Sequence, residues 1–152
     1  MAEFTSNAVQ EIAASQNVLF TDVPIPGVCQ GIVHREGSGV VTLTGGRCRK
    51  NNGCGCNNSN AIYRVSFGGN VAIPTDGVTA TPITFAIAID GEAIPTSSMT
   101  VTPSAVDQYW NIGTTIDVAL PIGCCYTIAV ENTGTAAANM RNANFTIDRQ
   151  NN

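Results

Sequence analysis

Alternation of apolar and polar residues is the clearest pattern along this chain, and it predicts a series of short β-strands. In the run AIYRVSFGGNVAI (residues 61–73), Tyr63 and Val65 fall on one face and Arg64 on the other. The run Gln108–Leu120 alternates in the same way. Further β-runs are predicted at Asn17–Thr21, Gly31–Arg35, Gly39–Thr44, Pro82–Asp90, Glu92–Thr102, Cys124–Glu131 and Arg141–Arg149. About eight to ten strands without a convincing helix favour an all-β sandwich or barrel.

Turn residues separate these runs. Asp90-Gly91 is a strong signal for a two-residue hairpin turn, and Gly68-Gly69 predicts a bulge or a close backbone approach. Residues 45–60 are rich in Gly and Asn and are predicted to form a loop, because they offer no apolar side chains to pack. Residues 1–14 lack strong periodicity, so they are predicted to be an N-terminal arm before a single domain over 15–152.

The composition agrees with an all-β domain. The chain has 14 Val and 14 Ile against 3 Leu, with 17 Thr, and side chains branched at Cβ suit a pleated surface. Its 152 residues suffice for one domain, and 43% apolar with only 12% charged residues argues against disorder. So many apolar residues also predict an apolar subunit interface.

Charge and hydropathy exclude several partners. A net charge of −4 and scattered basic residues disfavour nucleic acid. No apolar stretch approaches the roughly 18 residues of a membrane span. The first twenty residues lack a basic region and contain Glu3 and Glu11, so no secretory signal is predicted. We therefore expect synthesis in a cytosol, with reduced cysteines.

The chain offers little for catalysis. His34 is the only histidine, and its surroundings predict a structural or surface role, since no nucleophile motif accompanies it. Asp90, Glu92 and Asp107 could form an acid/base pair or bind calcium, but a turn residue and solvated side chains explain them better. The sequence therefore predicts a protein that is not an enzyme and has no cofactor or resident metal.

Three of the six cysteines share one loop. Cys48, Cys54 and Cys56 suggest a metal site, a redox site, loop disulfides or free thiols. Their C-x5-C-x-C spacing does not match a zinc ligand pair, which favours disulfides or thiols. Vicinal Cys124 and Cys125 would point to opposite sides of a strand, one of them into the core.

Tyr109 and Trp110 are adjacent, so a strand would direct them to opposite sides. One core aromatic and one interface aromatic is the favoured interpretation. The alternative is a platform near Trp110 on which a carbohydrate ring stacks.

Four segments in the second half resemble the jelly-roll domains of the tumour necrosis factor and complement globular-head type. These segments are AIYRVSFGGNVAI, ITFAIAIDGEAIP, IDVALPIGCCYTIAVEN and ANFTIDR. The resemblance implies a jelly-roll sandwich and a homotrimer whose apolar strands meet on a threefold axis. Some members of that family bind calcium near the threefold axis, so the resemblance implies a calcium site there as the alternative to a metal-free axis. This sequence has no dense acidic loop that would supply the ligands.

The stretches NAVQ, QNVLF and VHREGSG are similar to small proteins of gut bacterial prophages that resemble capsid decoration or head-fibre proteins. This resemblance implies a virion structural protein on the capsid surface, with the phage major capsid protein as its partner. The alternative is a spore- or cell-surface module that binds a glycan or a host protein. The residues expected to contact a partner or ligand are Phe4, Val9, Ile12 and Trp110.

Overall fold

The protein, in a computed structural model that describes residues 1–27, 31–45 and 60–150, is built from β-strands. The twelve strands are β1 (Ala2–Ser6), β2 (Gln10–Ile12), β3 (Asp22–Ile25), β4 (Ile32–His34), β5 (Val40–Thr44), β6 (Ala61–Ala72), β7 (Ile83–Ile89), β8 (Glu92–Ala93), β9 (Met99–Val101), β10 (Trp110–Leu120), β11 (Cys125–Asn132) and β12 (Ala138–Gln150). A short 3-10 helix, Pro95–Ser97, separates β8 from β9. None of the described ranges contains a helix that is long and apolar enough to cross a membrane.

The strands form two six-stranded antiparallel sheets. Sheet one has the order β10-β6-β12-β1-β3, and β2 also pairs with β12. Sheet two has the order β4-β5-β11-β7-β8, and β9 also pairs with β7. Strands distant in sequence therefore lie side by side, as β1 and β12 do, and the apolar core lies between the two sheets.

The long alternating runs form the strands that the sequence predicts. β6 and β10 pair without interruption from Ala61↔Leu120 to Val71↔Trp110. Tyr63 is fully buried while Arg64 is exposed, as their alternation requires. Asp90 and Gly91 join β7 to β8 with φ of 52° and 82°, the left-handed backbone expected of this hairpin turn.

The prediction of an N-terminal arm over residues 1–14 is wrong. β1 lies inside sheet one between β12 and β3, and β2 pairs with β12. Phe4 and Ile12 are only 1% and 3% exposed, so they belong to the core. The apolar–polar alternation in β1 is weak, because the two residues that are buried together with Phe4 are the small Ala2 and Ser6.

The predicted strand Asn17–Thr21 is also wrong. In this segment the Val18 N–H donates to the Val130 carbonyl in sheet two, while the Thr21 N–H donates to the Thr5 carbonyl in sheet one. The segment crosses from one sheet to the other, so no ladder forms, and the following residues make β3 instead. Because the segment crosses the core, the side chains of Val18 and Phe20 are buried although neither residue lies in a strand.

Aromatic rings occupy the centre of the core. The Phe20 and Phe145 rings stack with centroids 5.3 Å apart, and Phe67 meets Phe145 edge-on at 6.3 Å. Phe4 packs against the His34 ring at 4.6 Å. These contacts join the crossing segment, sheet one and β4 of sheet two into one core.

A buried asparagine holds the last turn of the chain together. The Asn132 Nδ2 group donates to the Ile12 and Ala136 carbonyls, each at 2.9 Å, and Oδ1 accepts from the Gly134 N–H at 3.0 Å. Asn132 is fully buried, so these groups have little access to water. One side chain thus fixes the turn after β11 and joins it to β2.

We predict that Asn132→Ala lowers the free energy of unfolding by about 2–3 kcal/mol, because several buried polar groups lose their partner. Urea denaturation followed by tryptophan fluorescence measures the change. Asn111→Ala, at an exposed strand position, is the control and should cost less than about 0.5 kcal/mol. Equal losses in both variants would contradict the role assigned to Asn132.

Tyr63 provides a second prediction. Its hydroxyl donates to the Thr44 carbonyl at 2.8 Å, and burial raises the pKa of the phenol, opposed only in part by the nearby Arg149 guanidinium. A raised pKa in the folded state means that folding favours the neutral phenol. This stabilisation is complete below the unfolded pKa of about 10 and is lost as the pH rises through the folded pKa.

We expect Tyr63→Phe to cost about 1 kcal/mol at pH 7, because the hydrogen bond to Thr44 is lost. The same variant should lose less stability than the wild type between pH 7 and pH values above about 10, since it has no phenol to ionise there. Tyr109→Phe is the control and should keep the alkaline loss. Identical pH dependence of the unfolding midpoint in wild type and Tyr63→Phe would rule out this role.

Candidate binding surface

The solvent side of β10, β6 and β12 carries a continuous set of polar and small side chains. Residues directly opposite each other in a ladder point to the same side of the sheet. We call this set the polar patch: Gly113, Thr115, Asp117, Gly68, Ser66, Arg64, Asn144, Thr146 and Asp148.

Most polar groups of the polar patch bond to one another or to close neighbours. Arg64 Nε lies 3.0 Å from Asp117 Oδ1, and this ion pair raises the pKa of Arg64. The Thr115 hydroxyl donates to Ser66 Oγ at 3.0 Å, and Asp148 lies 3.2 Å from the N-terminal amine. The patch therefore presents paired rather than free charges.

A β-bulge in β12 interrupts the side of sheet one next to the polar patch. Arg141 pairs with Asn70 and Asn144 with Gly68, so two residues of β12, Asn142 and Ala143, oppose the single Gly69 of β6. Asn142 has a φ of 53°, a left-handed conformation that asparagine tolerates better than most residues. The bulge places Arg141 and Asn142, two consecutive residues, in an exposed position.

Gly69 makes room for this bulge. A Cβ atom at Gly69 would lie 2.7 Å from Met140 Sδ and 3.7 Å from Ala143 Cα. The space that a side chain would need at Gly69 is taken by the Met140 side chain. Of the two alternatives predicted at Gly68-Gly69, the bulge is confirmed, and its extra residue belongs to the opposing strand.

Arg141 stacks on Tyr109 at the end of sheet one. The guanidinium carbon lies 3.8 Å from the centre of the Tyr109 ring, so the pair spans β6, which lies between β10 and β12. Asn70 stands opposite both Asn111 and Arg141, and its Oδ1 accepts from Asn142 Nδ2 at 3.3 Å. We call these five residues the Tyr109–Arg141 corner.

The charge of Arg141 distinguishes this corner from the polar patch. No carboxylate of residues 1–27, 31–45 and 60–150 lies within ion-pairing distance of its guanidinium. Stacking on an aromatic face holds a guanidinium in place and leaves the N–H groups at its edges available. The corner combines an oriented cation with exposed amides.

Trp110 does not belong to this corner. It pairs with the buried Val71, so it leaves β10 on the side that faces sheet two, and it is 46% exposed because it begins the strand. Tyr109 lies under Arg141 on the other side and is half-buried. Tyr109 and Trp110 point to opposite sides, as predicted. The prediction that one of them lies in the core is wrong, because neither ring is buried.

The other predicted contact residues are divided between core and surface. Phe4 and Ile12 are buried, which corrects their assignment as partner contacts. Val9, in the connection between β1 and β2, is 57% exposed. A partner contact at Val9 or Trp110 stays a prediction.

His34 has a packing role within β4. Its Nε2 lies 2.9 Å from the Ser38 carbonyl oxygen, and its ring contacts Phe4. Its Nδ1 is buried without a hydrogen-bond partner in the described part of the chain. The neighbours of this imidazole are thus aromatic rings and a backbone carbonyl, as expected for a structural histidine.

Two of the three candidate acidic residues accept hydrogen bonds from threonines on other segments of the chain. Asp90 Oδ1 accepts from the Thr127 N–H at 2.7 Å and its hydroxyl at 3.0 Å, and Asp107 accepts from the Thr75 hydroxyl at 2.9 Å. Glu92 is exposed in β8. Within the described ranges, no group of three or more His, Cys, Asp or Glu side chains is arranged to hold a metal ion.

Cys124 and Cys125 are both exposed free thiols, so the prediction of one core cysteine is wrong. Cys124 closes a turn through its N–H to the Pro121 carbonyl at 3.2 Å, and β11 begins only at Cys125. Because Cys124 lies in the turn before β11, the alternation of side chains along a strand does not determine where it points. The predicted thiol or disulfide loop of Cys48, Cys54 and Cys56 lies outside the described residues.

A small apolar pocket lies beside the end of β6. It has a volume of about 90 Å³, well below the roughly 300 Å³ at which ligand pockets begin. Its lining residues are Ile73, Gly77, Val78, Thr81, Pro82, Ile83, Ala136 and Ala137. A surface site on sheet one is the better candidate for recognition.

Comparison with known proteins gives similarity in structure only. No protein-family model and no curated protein sequence matches the chain. The globular domain of a zebrafish complement 1qA protein superimposes with a TM-score of 0.58 at 10% identity, covering 95% of this chain and 94% of that one. The Eiger tumour necrosis factor of S. frugiperda gives 0.64 at 9% identity, covering 99% and 92%.

A family 35 carbohydrate-binding module from Clostridium thermocellum reaches only 0.37, too low to indicate a common fold. The two closer structures share the two-sheet antiparallel architecture expected from the sequence resemblance. The chain is therefore an all-β jelly roll with the fold of the tumour necrosis factor and complement globular domains.

Proposed function

We propose that this protein is a non-enzymatic virion structural protein that assembles as a homotrimer and decorates the surface of a phage capsid. The polar patch carries the assembly part of the proposal. The capsid part rests on the resemblance that the sequence analysis draws between the stretches NAVQ, QNVLF and VHREGSG and prophage proteins.

The polar patch suits contact with another copy of the chain. Burying polar groups is costly when they lose water without gaining a partner. Here the Arg64–Asp117 pair and the Thr115–Ser66 bond exist before assembly. Gly68 and Gly113, side by side, keep the surface low so that another backbone can approach closely.

This interface differs from the apolar one that the composition predicts. Eight large apolar side chains are exposed among the described residues, and none belongs to the polar patch. They are Met1, Val9, Leu19, Val33, Val40, Val78, Trp110 and Ile122. Non-obligate interfaces are, as a whole, no more apolar than the remaining protein surface, so a polar contact face fits a trimer of that kind.

Three copies on a threefold axis would bring three equivalent surfaces to a symmetric site on the shell, which increases avidity without new contacts. Of the three contact residues predicted within residues 1–14, Phe4 and Ile12 are buried and Val9 faces solvent. We place the capsid contact at the connection between β1 and β2. In this proposal the protein is made in the bacterial cytoplasm and resides on the capsid exterior.

The oligomeric state is the first test. Size-exclusion chromatography with multi-angle light scattering should give about three times the 15.8 kDa of the chain, with or without reductant. Thr115→Arg, which places a bulky charge in the polar patch, should shift the mass toward the monomer, whereas Thr100→Arg on β9 should not. A monomeric wild type would refute the assembly proposal.

Capsid binding is tested by co-sedimentation with capsids of a prophage induced from the bacterium that carries this gene. Val9→Asp should weaken binding by about tenfold or more, because a charge replaces an apolar contact at three sites at once. Val78→Asp, at an even more exposed valine in another loop, should bind like the wild type. Unchanged sedimentation of a trimeric Val9→Asp variant would locate the contact elsewhere, and no binding by the wild type would end the capsid proposal.

The second candidate function is a surface module that binds a glycan or a host protein. The Tyr109–Arg141 corner favours it, because its cation and amides are exposed and oriented. This candidate is compatible with a place on a capsid.

A further inference from the structure

We infer that the Tyr109–Arg141 corner is a binding site for a carboxylate-bearing saccharide, the class that includes uronic and sialic acids. The inference gives the second candidate function a ligand class and a location. It rests on the chain being a binding protein and is independent of its attachment to a capsid.

Arg141 supplies the group that selects the acid. Its guanidinium is fixed by the Tyr109 ring at 3.8 Å and has no carboxylate partner among the described residues. The planar fork of N–H donors matches a carboxylate in a bidentate arrangement. Arg64 illustrates the alternative on the same side of the sheet, since its fork is already occupied by Asp117.

The neighbouring amides supply groups for hydroxyls. Asn70 and Asn142 are already linked by one hydrogen bond, which orients both side chains, and Asn111 stands opposite Asn70. An amide both donates and accepts, as a sugar hydroxyl does. The bulge is what brings Asn142 and Arg141 to the same exposed region, so one backbone feature assembles both kinds of group.

The charge balance favours a singly charged acidic sugar over a polyanion. The chain has a net charge of −4, which repels nucleic acids and other densely charged polymers. The corner offers one free guanidinium surrounded by neutral amides, a composition that fits one carboxylate with several hydroxyls. An acidic peptide would use the guanidinium but leave the amides without hydroxyl partners.

Trp110 provides the matched control. It is the more exposed aromatic and the obvious stacking platform from the sequence, but it leaves β10 on the opposite side from Arg141. Replacing Trp110 therefore tests the sequence-based site, and replacing Arg141 or Tyr109 tests the structural one.

The experiment is isothermal titration calorimetry of the full chain with 3′-sialyllactose and a hyaluronan disaccharide, each of which carries one carboxylate. Lactose and tetraglutamate are the comparison ligands. We expect saturable binding of at least one acidic saccharide, and binding of lactose that is at least about tenfold weaker. Arg141→Gln should weaken acidic-saccharide binding by about tenfold or more, and Tyr109→Ala should also weaken it by releasing the guanidinium. Trp110→Ala and Arg35→Gln, the latter at an exposed arginine outside both the corner and the polar patch, should stay within about twofold of the wild type.

Several results would overturn the inference. These are no binding of either acidic saccharide at millimolar concentration, equal affinity for lactose, tetraglutamate binding as tight as the acidic saccharide, and unchanged affinity in Arg141→Gln. Light scattering of Arg141→Gln separates this inference from the assembly proposal. A variant that stays trimeric but loses the saccharide supports the site, whereas dissociation into monomers would show that Arg141 contacts another subunit and would refute it.

Discussion

β12 forms hydrogen bonds along both of its edges, with β6 on one side and with β1 and β2 on the other. Because side chains alternate along a strand, this double pairing determines which residues of its neighbours enter the core and which face solvent. Phe145 and Ile147 thereby enter the aromatic core, and Asn144 and Thr146 join the polar patch. A one-residue slip would exchange these roles, so the bulge at Asn142 matters beyond its local strain.

The same strand separates two kinds of surface on one sheet. On one side of the bulge, side chains bond to each other, and the charge of Arg64 is neutralised by Asp117. At the bulge, Arg141 is held by an aromatic ring and its charge stays free. A surface with satisfied bonds tolerates contact with an identical copy, whereas an oriented free cation favours a ligand of opposite charge. Assembly and recognition can thus share one sheet without using the same residues.

The sequence predicted the elements whose alternation is long and whose turn residues are distinctive, such as β6, β10 and the Asp90-Gly91 hairpin. It failed where the pattern was short, as in β1, or where the chain changes sheets, as between Val18 and Thr21. The binding surface was harder to predict, because Tyr109 and Arg141 meet only through pairing of their strands with β6. No sequence pattern around either residue indicates that contact. The adjacent Trp110, which the sequence suggests as a carbohydrate platform, leaves β10 on the other side.

The two exposed thiols lie at the opposite end of β10 from the Tyr109–Arg141 corner. β10 has 11 residues, which at the rise of an extended strand amounts to about 36 Å. Tyr109 precedes its first residue, and Cys124 and Cys125 follow its last. In a variant whose other four cysteines are replaced by serine, a support or fluorophore coupled through Cys124 and Cys125 would therefore be attached at one end of β10 and leave the other end facing the solution in a defined orientation.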